Sequence, residues 1–141
     1  MEVESKRMEP EAMTIEGPVV KTSRTQSALF DLLSDPKSYE LIFPKSETKY
    51  FEASQDRFTF GIGSMPHVTM VLKERVPSHT IVLSEEQGKV PIDLTCKIQP
   101  GENGAQAQLL LNAELNPMMV QMLEKPLNAL IDALSKGLSR L

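Results

Sequence analysis

Apolar and polar positions alternate through the middle of this 141-residue chain, and helical spacing takes over on either side of that block. Residues 14–22 (TIEGPVVKT) read as a strand. Gly17-Pro18 interrupts it, which predicts an edge strand or a bulge. In the following SRTQSALFDLLSD, Leu29, Leu32 and Leu33 share one helical face. Ser23 or Thr25 can cap that helix, and Ser23 with Gln26 fits a capping box. Asp35-Pro36 ends it and starts a second helix, with Asp35 as N-cap and Pro36 in the first position. Pro44 closes the second helix soon after Tyr39 and Ile42, so both are short.

From Ser46 onward the period is two. Phe58, Phe60 and Ile62 alternate with polar or small residues, as do Val68, Met70 and Leu72, then Ile81 and Leu83. Val90, Ile92, Leu94, Cys96 and Ile98 form the clearest series, followed by Leu109, Leu111, Ala113 and Leu115. Such alternation predicts a sheet with one covered face and one in water. The links read as hairpins at Ser54-Gln55-Asp56, Pro77-Ser78, Gln87-Gly88-Lys89 and Asn103-Gly104. With residues 49–53, six strands follow the helices.

The chain ends in a helix of about six turns, capped by Asn116 with Pro117 in its first position. Its polar face reads Gln121, Glu124, Lys125, Asn128, Asp132, Ser135, Lys136 and Ser139. Its apolar face reads Met119, Met122, Leu123, Leu127, Leu130, Ile131, Leu134, Leu138 and Leu141. Pro126 removes one hydrogen bond from this helix and predicts a bend. The order of elements predicts an α+β fold. A seven-stranded antiparallel sheet has the first strand returned to its edge, and the long helix covers its apolar face.

Composition narrows the function. The net charge of −4, with Lys and Arg scattered, argues against a nucleic-acid surface. No apolar run reaches the length of a membrane span, and the N-terminal MEVESKRMEPEA has no apolar core for a signal peptide. Residues 1–12 have little to bury and read as a disordered tail ahead of one domain, residues 13–141. One cysteine, Cys96, allows no intramolecular disulfide, and a cytoplasmic location is expected.

LFDLLSDPKSYELIFP after the first strand resembles the helix pair of the START-like, SRPBCC superfamily of polyketide cyclase/dehydrase and lipid transport proteins, which includes birch-pollen-allergen-like proteins. KVPIDLTCKIQ, the Asn103-Gly104 turn and NPMMVQMLEKPLNALIDAL resemble a small bacterial branch of it. The resemblance implies a helix-grip fold, in which the sheet wraps around the C-terminal helix, and in many members a cavity for a hydrophobic ligand. The inward positions are then the candidate ligand-binding wall: Phe58, Phe60, Ile62, Met70, Leu72, Ile81, Leu83, Ile92, Leu94, Cys96, Leu109 and Leu111 from the sheet, and Met119, Met122, Leu123, Leu127 and Leu130 from the helix. In that fold Met118, Met119 and Met122 fall near the cavity mouth, where methionine adapts to irregular apolar shapes. The same methionines also suit a dry core.

Other chemistry finds little support. His67 and His79 have no ligand-spaced partner, so no metal or cofactor is expected. Cys96 reads as a small hydrophobe. GIGSM at residues 61–65 lacks the third glycine and the helix of a phosphate loop. Glu74 shares phase with Met70 and Leu72, yet charged residues are rarely buried, which favours the surface for it and for Asp31. The expected function is binding or carriage of a lipid, fatty acid, isoprenoid or quinone by a monomer or weak homodimer without catalysis, nucleic acid or membrane insertion. A Tyr four residues after Asp35 also resembles coenzyme Q-binding proteins. A protein-interaction module and a cyclase or dehydratase are the alternatives.

Overall fold

The computed structural model describes residues 11–63, 65–86 and 91–141. Strand β1 (Glu11–Glu16) and the two-residue β2 (Val20–Lys21) are one edge strand broken at Gly17-Pro18, as the proline predicts. β1 starts three residues before the expected position 14 and takes residues 11 and 12 from the expected tail. The reason is the length of β8 (Ala105–Leu115), whose last two residues pair with Ala12 and Glu11. The rest of that tail, residues 1–10, lies outside the described residues, as does the expected turn at residues 87–89.

Helix α1 (Gln26–Leu33) is capped by Thr25, whose hydroxyl accepts from the Ala28 amide at 3.1 Å. Gln26 does not complete a capping box with Ser23. Its amide instead donates to the Ser78 carbonyl at 2.7 Å, holding α1 to the turn at residues 77–79. The second short helix is 3₁₀ (Pro36–Leu41), capped by the Asp35 carboxylate on the Lys37 amide. Its proline start and the closing Pro44 leave room for a tight turn only.

Six strands follow: β3 (Thr48–Ala53), β4 (Arg57–Ile62), β5 (Val68–Val76), β6 (Thr80–Glu85), β7 (Ile92–Pro100) and β8. All pairs are antiparallel, in the order β1-β8-β7-β6-β5-β4-β3, with β2 also on β8. The register of β5 on β6 shifts between Leu72 and Glu74. One extra residue there reverses the side-chain phase. Glu74 therefore pairs with Val82, between the inward Ile81 and Leu83, and is exposed on the outer face.

Helix α2 (Pro117–Ser139) begins at the Asn116 cap and runs through Pro126. It packs on β8, β1 and β2, while α1 covers β6 to β8 and the 3₁₀ helix covers β3 and β4. Two corrections to the expected faces of α2 follow from this seating. Ser135 is buried rather than polar-facing, because Gly17 lets the β1–β2 link reach it. Met122 is 67% exposed, because at 3.6 residues per turn it lies about 140° round the helix from Leu127, on the stripe that faces away from the sheet.

Candidate functional site

The inward face of the sheet carries an aromatic cluster. Phe58 stacks on Tyr39 (centroids 4.8 Å apart) and on Phe51 (5.6 Å), and Phe43 lies against Phe60 at 4.9 Å and Phe58 at 5.7 Å. Strand alternation places Phe51, Phe58 and Phe60 on that face, and the segment after the 3₁₀ helix inserts Phe43 above them. The Tyr39 hydroxyl is buried and donates to the Leu33 carbonyl at 2.7 Å. Burial, and secondarily the neighbouring Cys96, pushes the Tyr39 pKa well above its usual value. Burial alone pushes the Cys96 thiol up to about 12, so it stays protonated and unreactive.

Twelve of the seventeen candidate ligand-wall residues are buried in this one core: Phe58, Phe60, Met70, Ile81, Leu83, Ile92, Leu94, Cys96, Leu109, Leu111, Leu127 and Leu130. Ile62, Leu72, Met119 and Leu123 are half-buried against it, and Met122 points to solvent. None of the seventeen lines the large concavity of the molecule. That concavity is an open groove of about 1400 Å³ between the C-terminal half of α2 and the segment joining the 3₁₀ helix to the edge strand β3. Phe43 and Phe51 form its inner side, so the aromatic cluster separates the groove from the interior.

Ala129 and Ala133 form the helical wall of the groove and Leu41 stands opposite, while Tyr50 borders it with its ring turned to His67 on the outer face of the sheet. Leu41 and Tyr50 are exposed. The sequence reading missed this groove. The signal was the run Leu41-Ile42-Phe43, which a short helix cannot bury on one face. It also missed Glu85, the inward acidic position. Glu85 pairs with Met70 and is half-buried at the end of the phase set by Ile81 and Leu83.

His67 stacks on Tyr50 (4.7 Å) on the outer face, and His79 is exposed beside the β5–β6 turn. Among the described residues no group of three His, Cys, Asp or Glu side chains could hold a metal ion. Among them, too, no helix is long and apolar enough to cross a membrane.

No protein-family model matches the chain, and no curated protein matches it. Solved structures do. Norcoclaurine synthase from Thalictrum flavum, in complex with dopamine and hydroxybenzaldehyde, superposes with a TM-score of 0.65 at 13% identity, covering 92% of this chain and 88% of that one. A START superfamily protein from Mycobacterium smegmatis gives 0.58 at 15% identity, covering 94% and 98%. A protein from Rhodobacter sphaeroides gives 0.61 at 12%, covering 92% and 96%. At these identities the likeness speaks for the fold, and it agrees with the strand order and the long C-terminal helix. The chain has the START-like, SRPBCC fold.

Proposed function

We propose that this protein binds and carries a hydrophobic small molecule, of the lipid, fatty acid, isoprenoid or quinone class. The observation that carries the reading is the groove of about 1400 Å³ whose inner side is Phe43 and Phe51. An apolar ligand lying there touches side chains continuous with the core, and removal of its surface from water supplies the affinity. The first half of α2, with Met119 and Leu123 half-buried and Met122 exposed, is seated more loosely than the second. In this reading that half shifts to admit the ligand, and the candidate residues other than Met122 form the wall it reaches. Local segments with few buried contacts open at low cost.

Native mass spectrometry of the purified protein, followed by organic extraction, tests the reading. The expected result is a co-purified apolar molecule that extraction removes. The emptied protein should then gain melting temperature when a matching lipid is added, as any ligand specific for the folded state requires. A bare mass, together with an unchanged melting temperature across fatty acids, isoprenoids and quinones, would rule the proposal out.

A further inference from the structure

We infer that the groove selects an anionic amphiphile, a long apolar tail bearing a carboxylate or phosphate head; this rests on the hydrophobic-ligand reading above. Two observations lead there. The first is the course of the helical wall. Ala129, Ala133 and Arg140 line the groove, and Met122 and Met118 continue the same helical stripe toward the N-terminus. Those two methionines are 67% and 71% exposed. From Lys136 to Met122 the stripe runs roughly 21 Å at 1.5 Å per residue, the reach of a long acyl tail. Alanines keep the wall shallow beside the aromatic floor, and the flexible methionines fit a tail of irregular shape.

The second observation is charge. Lys136 and Arg140 stand on the helical wall, and Lys45 and Lys49 on the opposite one. None of the four is in an ion pair among the described residues. With the carboxylates Glu40, Glu47 and Asp132 the lining has four cations against three anions, or +1, in a chain of net charge −4. Cations suit a helix C-terminus and a sheet edge, which accounts for each pair alone. It does not account for both pairs bordering one groove with an apolar floor. An extended peptide added to β3 fits less well. The β3 register shifts between Thr48 and Tyr50, and Lys49 sits at that bulge; both features discourage strand pairing.

Equilibrium binding to the full chain with three probes of one tail, oleate, monooleoyl phosphatidate and oleyl alcohol, tests the inference, with inorganic phosphate as the free anion. Oleate or the phosphatidate, or both, should bind about tenfold or more tightly than the alcohol, the order of one charge-assisted hydrogen bond. Inorganic phosphate should bind weakly. The preference should shrink as salt is raised. It should fall to about twofold in Lys136→Gln/Arg140→Gln, with alcohol affinity kept. Lys97→Gln, an exposed residue outside the groove, should leave it intact. Lys45→Gln/Lys49→Gln is the second variant should the first fail to fold. Equal affinity for oleate, phosphatidate and alcohol would overturn the charge assignment and leave the hydrophobic-ligand reading standing. So would a preference that survives in both double variants. Tight binding of inorganic phosphate would assign the site to a free anion instead. Failure of all three tailed probes would overturn the inference, and the hydrophobic-ligand reading would fall with it only if isoprenoids and quinones also left the melting temperature unchanged.

Discussion

Gly137 of α2 rests directly on the backbone of Ile42 at the end of the 3₁₀ helix. A Cβ at position 137 would overlap the Ile42 carbonyl oxygen and stand 2.6 Å from its Cα. This contact sets how closely the helix lies beside the segment that forms the other wall of the groove. Gly17 acts in the same way from the sheet side, where a Cβ would meet Ser135 Oγ at 2.7 Å and the Ile131 side chain at 2.9 Å.

Gly137→Ala should therefore destabilise the protein. Alanine is favoured over glycine inside a helix by about 1 kcal/mol. Overpacking costs about 1–3 kcal/mol, and here the obstacle is backbone that cannot swing aside, which places the cost at about 2–3 kcal/mol. The expected net loss is about 1–2 kcal/mol, read as a lower urea midpoint at unchanged slope.

The two halves of α2 should respond differently to truncation. Leu127 is fully buried, so Leu127→Ala should cost about 2–5 kcal/mol. Met122→Ala should change stability by no more than about 0.5 kcal/mol, because the side chain is in solvent. Under the proposed function it should still weaken binding of an acyl probe. Urea titrations of both variants, with binding measured alongside, separate a structural residue from a ligand contact.

Tyr39→Phe should cost about 1–2 kcal/mol, since it strips a buried hydrogen bond from the Leu33 carbonyl without opening a large void. Thermal unfolding of the variant checks this. A melting temperature equal to that of the parent would mean that the carbonyl finds another partner.

Stability should fall in alkali through Cys96. Its thiol titrates near 9.0 when unfolded and is pushed up to about 12 by burial in the folded state. Between those values the unfolded chain has released a proton that the folded one retains. The contribution is thus complete below pH about 9 and is lost as pH rises toward about 12. Tyr39, raised by the same burial, adds a loss of the same sign. Urea midpoints across this range should decline more gently in Cys96→Ala, measured against its own neutral-pH value.

Phe43→Ala should join the groove to the interior. The ring fills space above Phe58 and Phe60, so its loss should cost about 3–5 kcal/mol. Binding of an environment-sensitive apolar dye should rise in the native baseline, before unfolding begins.

Whatever depends on neighbours along the chain was legible in the order of the residues. Asp35 and Asn116 cap because their side chains reach amides two or three residues on. Gly17-Pro18 marks an edge because proline brings no amide to a ladder. Strand alternation separated Phe58, Phe60, Ile92 and Leu94 from their polar neighbours, and with the order of elements it gave the antiparallel sheet under a long helix. The tertiary structure decided what depends on partners far apart. The bulge after Leu72 arises only against β6, and it turns Glu74 outward, leaving Glu85 as the inward carboxylate. Ser135 is buried because Gly17 packs on it across more than a hundred residues, a contact helical spacing cannot encode. Met122 reads with the apolar stripe, yet it lies about 140° round the helix from Leu127, and the seating of α2 on the sheet through Leu127, Leu134 and Leu138 leaves it in solvent. The groove exists only where α2, the 3₁₀ helix and the edge of β3 meet. Periodicity reports which way a side chain points within its own element, and the space between elements follows from how they dock.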